Sequence, residues 1–143
     1  MFLLDTNVVS ELRKARAGKA DAQVVAWASS VPSASLYLSV MSVQELELGA
    51  LRVERRDKAQ GAILRLWLDD HVLPAFAGRM LPIDTAVALR SARLHVPDRR
   101  SERDRLIAAT GLVHGMTVVT RNVDDFAATG VALLNPWNWP GPV

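Results

Sequence analysis

Short apolar runs alternate along this chain with longer segments whose apolar residues recur at helical spacing. The runs that predict strands are FLLD (2–5), LYLSV (36–40), MTVVT (116–120) and VALLNP (131–136), while MLPID (80–84) fits a short strand or an extended connector. The segments that predict helices are VVSELRKAR (8–16), QVVAWASS (23–30), SVQELELGALRVERR (42–56), 58–76, TAVALRSARLHV (85–96) and DRLIAATGLVHG (104–115). Strands that alternate with helices pair in parallel, so the pattern predicts a layered α/β domain.

Length and composition limit the classes of protein that this chain can be. Its 143 residues, half of them apolar and 22% charged, predict a single globular domain over 1–143. The absence of cysteine excludes disulfides, a thiolate nucleophile and a Cys-based zinc site, and it fits a reducing compartment. No basic segment precedes the first apolar run and no stretch approaches membrane-spanning length. We therefore expect a cytoplasmic protein with no membrane partner.

Arginine dominates the basic residues, although the formal net charge is only +2. Fourteen of the seventeen basic side chains are arginine, which suits bidentate contacts with phosphate or carboxylate groups. Two clusters stand out: Arg52, Arg55 and Arg56, and then Arg99, Arg100, Arg103 and Arg105. Each cluster could contact nucleic acid or an acidic protein, and each fits a solvated helix face equally well.

Acidic and amide side chains follow the predicted strands at the points where ligands bind in parallel α/β sheets. Asp5 ends the first strand, Glu45 lies early in the helix after the second, and Asp104 opens a later helix. Asn122, Asp124 and Asp125 follow the strand MTVVT. Four separate segments are therefore expected to bring oxygen ligands to one edge of the sheet.

Helix capping is the alternative explanation for each of these residues taken alone. The pairs Ser42–Glu45, Ser101–Asp104 and Asn122–Asp125 have the spacing of a capping box or resemble it. Capping does not explain several carboxylates gathered at one place, because like charges repel. A divalent cation would neutralise them, and oxygen-only ligands favour Mg²⁺ or Mn²⁺. The pattern thus indicates a hydrolytic site for phosphodiesters.

Several motifs in a fixed order resemble those of PIN-domain toxins of the VapC type. The motifs are MFLLDTNVVSEL, SVQELELG and DRLIAATGLVHGMTVVTRNVDDF, and together they extend the resemblance over nearly the whole chain. LPAFAGRMLPID and VALLNPW resemble the FitB-like branch of that family. The resemblance implies a three-layer α/β/α PIN domain with a central, mainly parallel sheet.

The same resemblance implies an activity, a cofactor and partners. The protein would be the toxin of a type II toxin–antitoxin system, a Mg²⁺- or Mn²⁺-dependent endoribonuclease that cleaves RNA phosphodiesters. A cognate VapB-like antitoxin would block the pocket by offering a basic side chain to its carboxylates. A homodimer and a higher assembly with the antitoxin are expected.

The family's functional positions fall on particular residues of this sequence. Its metal-binding acids fall on Asp5, Glu45 and Asp104, with Thr6 and Asn7 as supporting residues. Many relatives have an acid where this chain has Asn122, whose amide can also coordinate a metal. The expected metal ligands are therefore Asp5, Glu45, Asp104 and Asn122. Asp125 is expected to join Asp5, Glu45 and Asp104 as a catalytic residue, and Asp124 is a weaker candidate.

Other residues complete the expected site. Thr120 could orient an acid or a water, and Arg121 could reach a phosphate, although a structural role at the strand end fits both. Arg121 and Arg103 are the expected contacts with RNA. Trp137 and Trp139 could stack on a base, but packing of the C-terminal segment onto the domain explains the pair better. Apolar residues of the second and third long helices predict homodimerisation; they are Leu46, Leu48, Leu51, Ile63, Leu64 and Trp67.

Two other functions remain open on sequence grounds. Asn122 in place of an acid is compatible with a catalytically weak PIN-like module that only binds nucleic acid or a partner protein. The same carboxylate chemistry would also serve a metal-dependent DNA nuclease or a phosphatase.

Overall fold

Five parallel strands form the centre of the fold. The computed structural model of the protein describes residues 1–142. The strands are β1 (Phe2–Leu4), β2 (Leu36–Ser39), β3 (Met80–Leu81), β4 (Thr117–Val119) and β5 (Leu133–Leu134). They lie in the order β3-β2-β1-β4-β5, and every pairing is parallel. The predicted strands and their parallel arrangement are confirmed.

Helices connect the strands in the predicted places. They are α1 (Thr6–Arg13), α2 (Ala22–Ser29), α3 (Val40–Arg56), α4 (Lys58–Trp67), α5 (Leu73–Ala75), α6 (Thr85–Arg93), α7 (Glu102–His114) and α8 (Val123–Phe126). A π-helical turn at Leu68–Val72 joins α4 to α5. The predicted helical segment over 58–76 is therefore one nearly continuous helical stretch. Among residues 1–142, no helix is both long and apolar enough to cross a membrane.

Successive residues of the central strands face two different hydrophobic cores. Leu4, Leu38 and Val119 pack in one core with residues of α1, α2 and α3. Leu3 and Val118 pack in the other, with residues of α7. Because side chains alternate along a strand, the two cores lie on opposite faces of the sheet. The three-layer α/β/α arrangement is thus confirmed.

The direction of strand succession reverses between β1 and β4. From β1 the chain moves outward through β2 to β3, whereas β4 and β5 lie on the other side of β1. Leu4 of β1 pairs with Val119 of β4, so these two strands end in register. Ligands of open α/β sheets bind at this kind of switch point, beyond the carboxyl ends of the strands.

Helix α3 begins earlier than the capping pattern predicts. Its N-cap is Ser39, whose Oγ accepts from the backbone N–H of Met41 at 3.0 Å. Ser42 is buried within the helix, and its hydroxyl has no hydrogen-bond partner among the described residues. The Ser42–Glu45 capping box is therefore wrong, because the N-cap of the helix, Ser39, lies three residues before Ser42. Glu45 lies in the second turn, where its carboxylate is free for other contacts.

Helices α3 and α4 form a tightly packed hairpin. A Cβ on Gly61 would lie 2.4 Å from the Cα of Glu54, so the two backbones approach too closely for any other residue. Arg65 of α4 bonds Glu47 and Glu54 of α3, and these bonds raise the pKa of its guanidinium above its ordinary value. Of the apolar residues expected to form a dimer, Leu46, Leu64 and Trp67 pack into the core, whereas Leu48, Leu51 and Ile63 are exposed.

Only part of the second predicted arginine cluster forms a basic surface. Arg99 and Arg100 are exposed, but Arg105 is only 6% exposed. Arg103 is half-buried and turns toward carboxylates. A solvated helix face is therefore wrong for Arg105, which is buried on α7, whereas Arg99 and Arg100 precede that helix and are exposed.

Candidate active site

A polar cavity of about 640 Å³ opens at the carboxyl ends of β1 and β4. It contains most of the residues predicted from sequence. Its lining residues are Asp5, Thr6, Asn7, Ser10, Glu11, Lys14, Glu45, Ser101, Arg103, Asp104, Arg121, Asn122, Asp125 and Trp137. The lining contains five carboxylates against three cationic side chains, so the cavity attracts further positive charge.

Asp5 is the most deeply placed acid of the cavity. Only 1% of the residue is exposed. Its Oδ1 accepts from the backbone N–H of Thr6 at 2.8 Å, and its Oδ2 accepts from the hydroxyl of Thr120 at 2.7 Å. The first of these bonds makes Asp5 the N-cap of α1. Asp5 therefore caps α1 and also belongs to the acidic site, because its carboxylate accepts several hydrogen bonds at once.

Asn7 and Thr120 join the end of β4 to the start of α1. The amide nitrogen of Asn7 lies 3.5 Å from both Asp5 Oδ2 and the Thr120 hydroxyl. Asn7 Oδ1 accepts from the backbone N–H of Arg121 at 3.3 Å, and Thr120 Oγ1 accepts from that of Asn122 at 3.0 Å. These bonds restrict the rotation of the Asp5 carboxylate. Asn7 and Thr120 thus lie where the sequence places supporting residues.

Glu45 and Asp104 reach the cavity from α3 and α7. The hydroxyl of Thr6 donates to Oε1 of Glu45 at 3.2 Å, which links the first turn of α1 to α3. Ser101 is the N-cap of α7, and its hydroxyl accepts from the backbone N–H of Asp104 at 3.4 Å. The Asp104 side chain does not complete a capping box and instead accepts a bond from Arg103. Three elements therefore present one carboxylate each.

The guanidinium of Arg103 lies among these three carboxylates. Its Nε donates to Glu45 Oε1, its Nη2 to Asp5 Oδ1, and its Nη1 to Asp104 Oδ1 at 2.6 Å. One planar group can reach all three acids only if their oxygens face a common point. Asp5, Glu45 and Asp104 are thereby brought together as the sequence predicts.

The carboxylates around Arg103 fit a divalent cation by their chemistry. In residues 1–142, no three acidic or histidine side chains lie close enough together to hold a metal ion in this arrangement. The guanidinium of Arg103 lies between one oxygen of each of the three carboxylates. The ligand set nevertheless consists of hard oxygens that already surround a cationic group, and such sets suit Mg²⁺ or Mn²⁺.

Asn122 and Asp125 form a different wall of the cavity. Both line it, and neither contacts the guanidinium of Arg103. The side chain of Asn122 makes no capping bond to α8, so the expected Asn122–Asp125 cap is limited to a backbone bond of 3.0 Å. Asp124 is exposed and is not part of the cavity lining.

Sequence reasoning did not include Glu11 and Lys14 in the site. They lie four and seven residues after Asn7, Glu11 on α1 and Lys14 directly after its last residue, so helical spacing from Asn7 would have found them. The Glu11 carboxylate accepts from the Lys14 ammonium at 2.9 Å and from the backbone N–H of Asp21 at 2.8 Å. These two bonds lower the pKa of Glu11 below its ordinary value.

Trp137 packs as the sequence favours and also lies at the cavity. Its ring packs against the core on the α1 side of the sheet, as predicted, and also lines the cavity. The guanidinium carbon of Arg121 lies 5.0 Å from the ring centre, which is a cation–π contact. Arg121 is exposed and thus remains accessible at the cavity wall.

Comparison with known proteins gives a consistent result. The PIN-domain family matches residues 2–132. The chain is 40% identical to Toxin FitB of Neisseria gonorrhoeae, with 96% of this chain and 99% of that protein covered. It is 38% identical to VapC ribonuclease Y4jK of Sinorhizobium fredii, over 96% of this chain and 98% of the other. The crystal structure of FitAcB from Neisseria gonorrhoeae superimposes with a TM-score of 0.87 at 37% identity, over 96% and 99% of the two chains.

Proposed function

The chain belongs to the PIN-domain family, and from that premise we propose that it is the toxin of a type II toxin–antitoxin system and acts as a divalent-metal-dependent endoribonuclease. One observation carries the proposal. Asp5, Glu45 and Asp104 come from three different elements, and all three bond a single cationic group at the switch point of the sheet. The relatives named as a toxin and as a ribonuclease support the same activity.

The cofactor we propose is Mg²⁺ or Mn²⁺. Asp5, Glu45 and Asp104 would hold it, and Asn122, which lines the same cavity, would add a neutral oxygen. When bound, such a cation supplies Lewis acidity that activates water and offsets charge on the phosphodiester. Oxygen ligands of this kind favour these two ions over zinc, which prefers nitrogen and sulfur.

The chain's own residues would orient the reacting groups. Thr120 and the backbone of Thr6 hold the Asp5 carboxylate by hydrogen bonds to its two oxygens. The Thr6 hydroxyl fixes one oxygen of Glu45, which leaves the other to bind or position a water. Asp125 is exposed at the cavity wall and can accept a proton from that water.

Arginine side chains at the cavity would guide the RNA backbone. Arg121 lies over Trp137 and is exposed at the cavity, so its guanidinium would contact a phosphate of the RNA backbone. Arg103 is the second candidate, because its side chain is 29% exposed at the carboxylates. Both residues remain the proposed contacts with RNA.

We propose a VapB-like antitoxin as the partner that inhibits the enzyme. The cavity accommodates a guanidinium in contact with three carboxylates, as Arg103 demonstrates within this chain. A basic side chain offered by an antitoxin would find the same acceptors. A cytoplasmic location fits this function and the lack of cysteine, and we take residues 1–143 to form one PIN domain.

The test is cleavage of end-labelled RNA and DNA by the full chain with Mg²⁺, Mn²⁺ or EDTA. Asp5→Asn and Asp104→Asn should abolish RNA cleavage. Asp124→Asn makes the same change at an exposed acid that does not line the cavity, so it should leave cleavage unchanged. Cleavage that persists in EDTA would contradict the metal requirement.

The same assay separates the other two functions. Cleavage of DNA alone would indicate a DNA nuclease. If a broad set of cellular RNAs and DNAs stays intact while the protein retards RNA in a gel, the binding-module function is favoured. Growth arrest upon induction, relieved by the product of a small adjacent reading frame, would support the toxin and its antitoxin together.

A further inference from the structure

The guanidinium of Arg103 supplies a positive charge at the place where three carboxylates come together. It is in the first turn of α7, directly before Asp104. Each of its three guanidinium nitrogens donates to a different carboxylate, and Nη2 also lies 3.4 Å from the hydroxyl of Thr6. Few side chains can bridge three acids in this way, because only arginine carries a fork of five N–H donors.

The oxygens that Arg103 bonds are the ones a metal ion would need. They are Asp5 Oδ1, Glu45 Oε1 and Asp104 Oδ1. Oδ2 of Asp5 accepts from the Thr120 hydroxyl, whereas Oδ1 accepts from the Thr6 N–H and from Arg103, so Oδ1 is the oxygen of that residue that faces the guanidinium. A guanidinium and a divalent cation cannot both occupy the space between the same oxygens. Binding of one therefore excludes the other.

The other two cationic side chains of the cavity are engaged elsewhere. Lys14 donates to Glu11, and Arg121 lies over the ring of Trp137. Within residues 1–142, Arg103 is the cationic side chain that bonds Asp5, Glu45 and Asp104. The three acids would otherwise repel one another in a half-buried place, where water screens their charges weakly.

We propose that Arg103 is an internal counterion that holds the metal-free pocket together and must swing out before a divalent cation binds. This inference rests on the proposed function, since it concerns the same carboxylates. The proposal has two consequences that can be measured. Arg103 stabilises the metal-free protein, and it weakens the apparent affinity for metal.

The size of the second effect follows from the fraction of molecules with an open pocket. If the guanidinium occupies the pocket in about nine molecules of ten, the apparent affinity for metal is about tenfold weaker than that of an open pocket. Removing the guanidinium while keeping an apolar side chain should remove this penalty. It should also lower the melting temperature in EDTA, because the carboxylates then lack a counterion.

The experiment compares Mn²⁺ binding and thermal unfolding of the full chain as wild type, Arg103→Met, Arg103→Lys and Arg99→Met. Mn²⁺ binding is measured by calorimetry and by the electron paramagnetic resonance of free Mn²⁺. Arg103→Met should bind Mn²⁺ about tenfold more tightly than wild type and melt at a lower temperature in EDTA. Arg103→Lys keeps the charge without the fork and should lie between them. Arg99 is exposed and is not part of the cavity lining, so Arg99→Met should match wild type.

The outcomes distinguish this inference from the proposed function. Equal Mn²⁺ affinities for wild type, Arg103→Met and Arg103→Lys, or weaker binding by the two Arg103 variants, would overturn the counterion role and leave the metal-dependent enzyme intact. If none of the proteins binds Mn²⁺ at millimolar concentration, the proposed metal site itself fails. Should Arg103→Met not fold, tighter binding by Arg103→Lys supports the inference and unchanged binding rejects it.

Discussion

The hydroxyl of Thr120 donates to Oδ2 of Asp5 at 2.7 Å, and both residues are buried. They follow Val119 and Leu4, which are paired residues of adjacent parallel strands. The register of the sheet therefore determines which hydroxyl meets which carboxylate. Thr120 thus orients the Asp5 carboxylate, although the two residues are 115 positions apart in sequence.

Thr120→Val should reduce RNA cleavage on the order of tenfold, because residues that orient a metal ligand commonly have effects of this size. The lost hydrogen bond should also cost about 1 kcal/mol of unfolding free energy. Initial rates and denaturant unfolding measure the two effects. Thr129→Val is the matched control, since Thr129 is also buried and donates to Phe126 O at 2.6 Å away from the cavity. A rate for Thr120→Val equal to that of the control would contradict the orienting role.

Asn122→Asp should strengthen Mn²⁺ binding. The side chain lines the cavity without a capping bond, so a carboxylate there would add negative charge at little structural cost. A gain on the order of tenfold is expected from one further charged ligand. Asn138→Asp adds the same charge at an exposed position and should leave the affinity unchanged. Weaker binding by Asn122→Asp, measured by calorimetry, would show that the amide itself is needed.

Glu11→Gln should lower stability at neutral pH only. Bonds from Lys14 and the Asp21 N–H lower the pKa of Glu11 in the folded protein, so its ionised form favours folding. That contribution is fully present above the unfolded-state pKa of about 4.3 and is lost as the pH falls through the lowered folded value. We expect a deficit below about 1 kcal/mol at pH 7. Denaturant unfolding of both proteins from pH 7 to pH 3 should show the curves converging; a constant difference would refute the linkage.

Arg105→Met should not destabilise the protein and should raise its unfolding free energy by about 1 kcal/mol. The side chain is buried, and its Nε and Nη1 have no hydrogen-bond partner within residues 1–142. Methionine keeps the apolar stem without the unsatisfied donors. Arg100→Met, which makes the same change at an exposed arginine, is the control. A loss above 1 kcal/mol in urea unfolding of Arg105→Met would reveal an acceptor for the guanidinium.

The exposed apolar residues of the α3–α4 hairpin should form a homodimer interface. Leu48, Leu51, Ile63 and Leu66 are exposed on α3 and α4, so their burial in an interface would be favourable. Light scattering after size exclusion should give twice the chain mass of 15.6 kDa at micromolar concentration. The double change Leu51→Glu with Ile63→Glu should give monomers. Leu89→Glu, at an exposed leucine of α6, should not, and a monomeric wild type would reject the interface.

The elements of the fold and the acids near the strand ends were predictable from local sequence. Apolar periodicity and strand-like runs are local properties, so β1 to β5 and the main helices could be located without any contact information. Asp5, Glu45 and Asp104 could be identified for the same reason, because each follows from its place after a strand or at a helix start. The spacing of Ser42 and Glu45 gave a wrong prediction of the residue at which α3 begins.

The contacts between those residues depend on the tertiary structure. The bond from Thr120 to Asp5 depends on strand register, and the place of Arg103 among three carboxylates depends on how α7 packs beside α1 and α3. Arg103 and Arg105 are two residues apart in sequence, yet one joins the carboxylates and the other is buried without a bonded acceptor for two of its nitrogens. A local pattern specifies which way a side chain points around its helix, but the partner it meets belongs to another part of the chain.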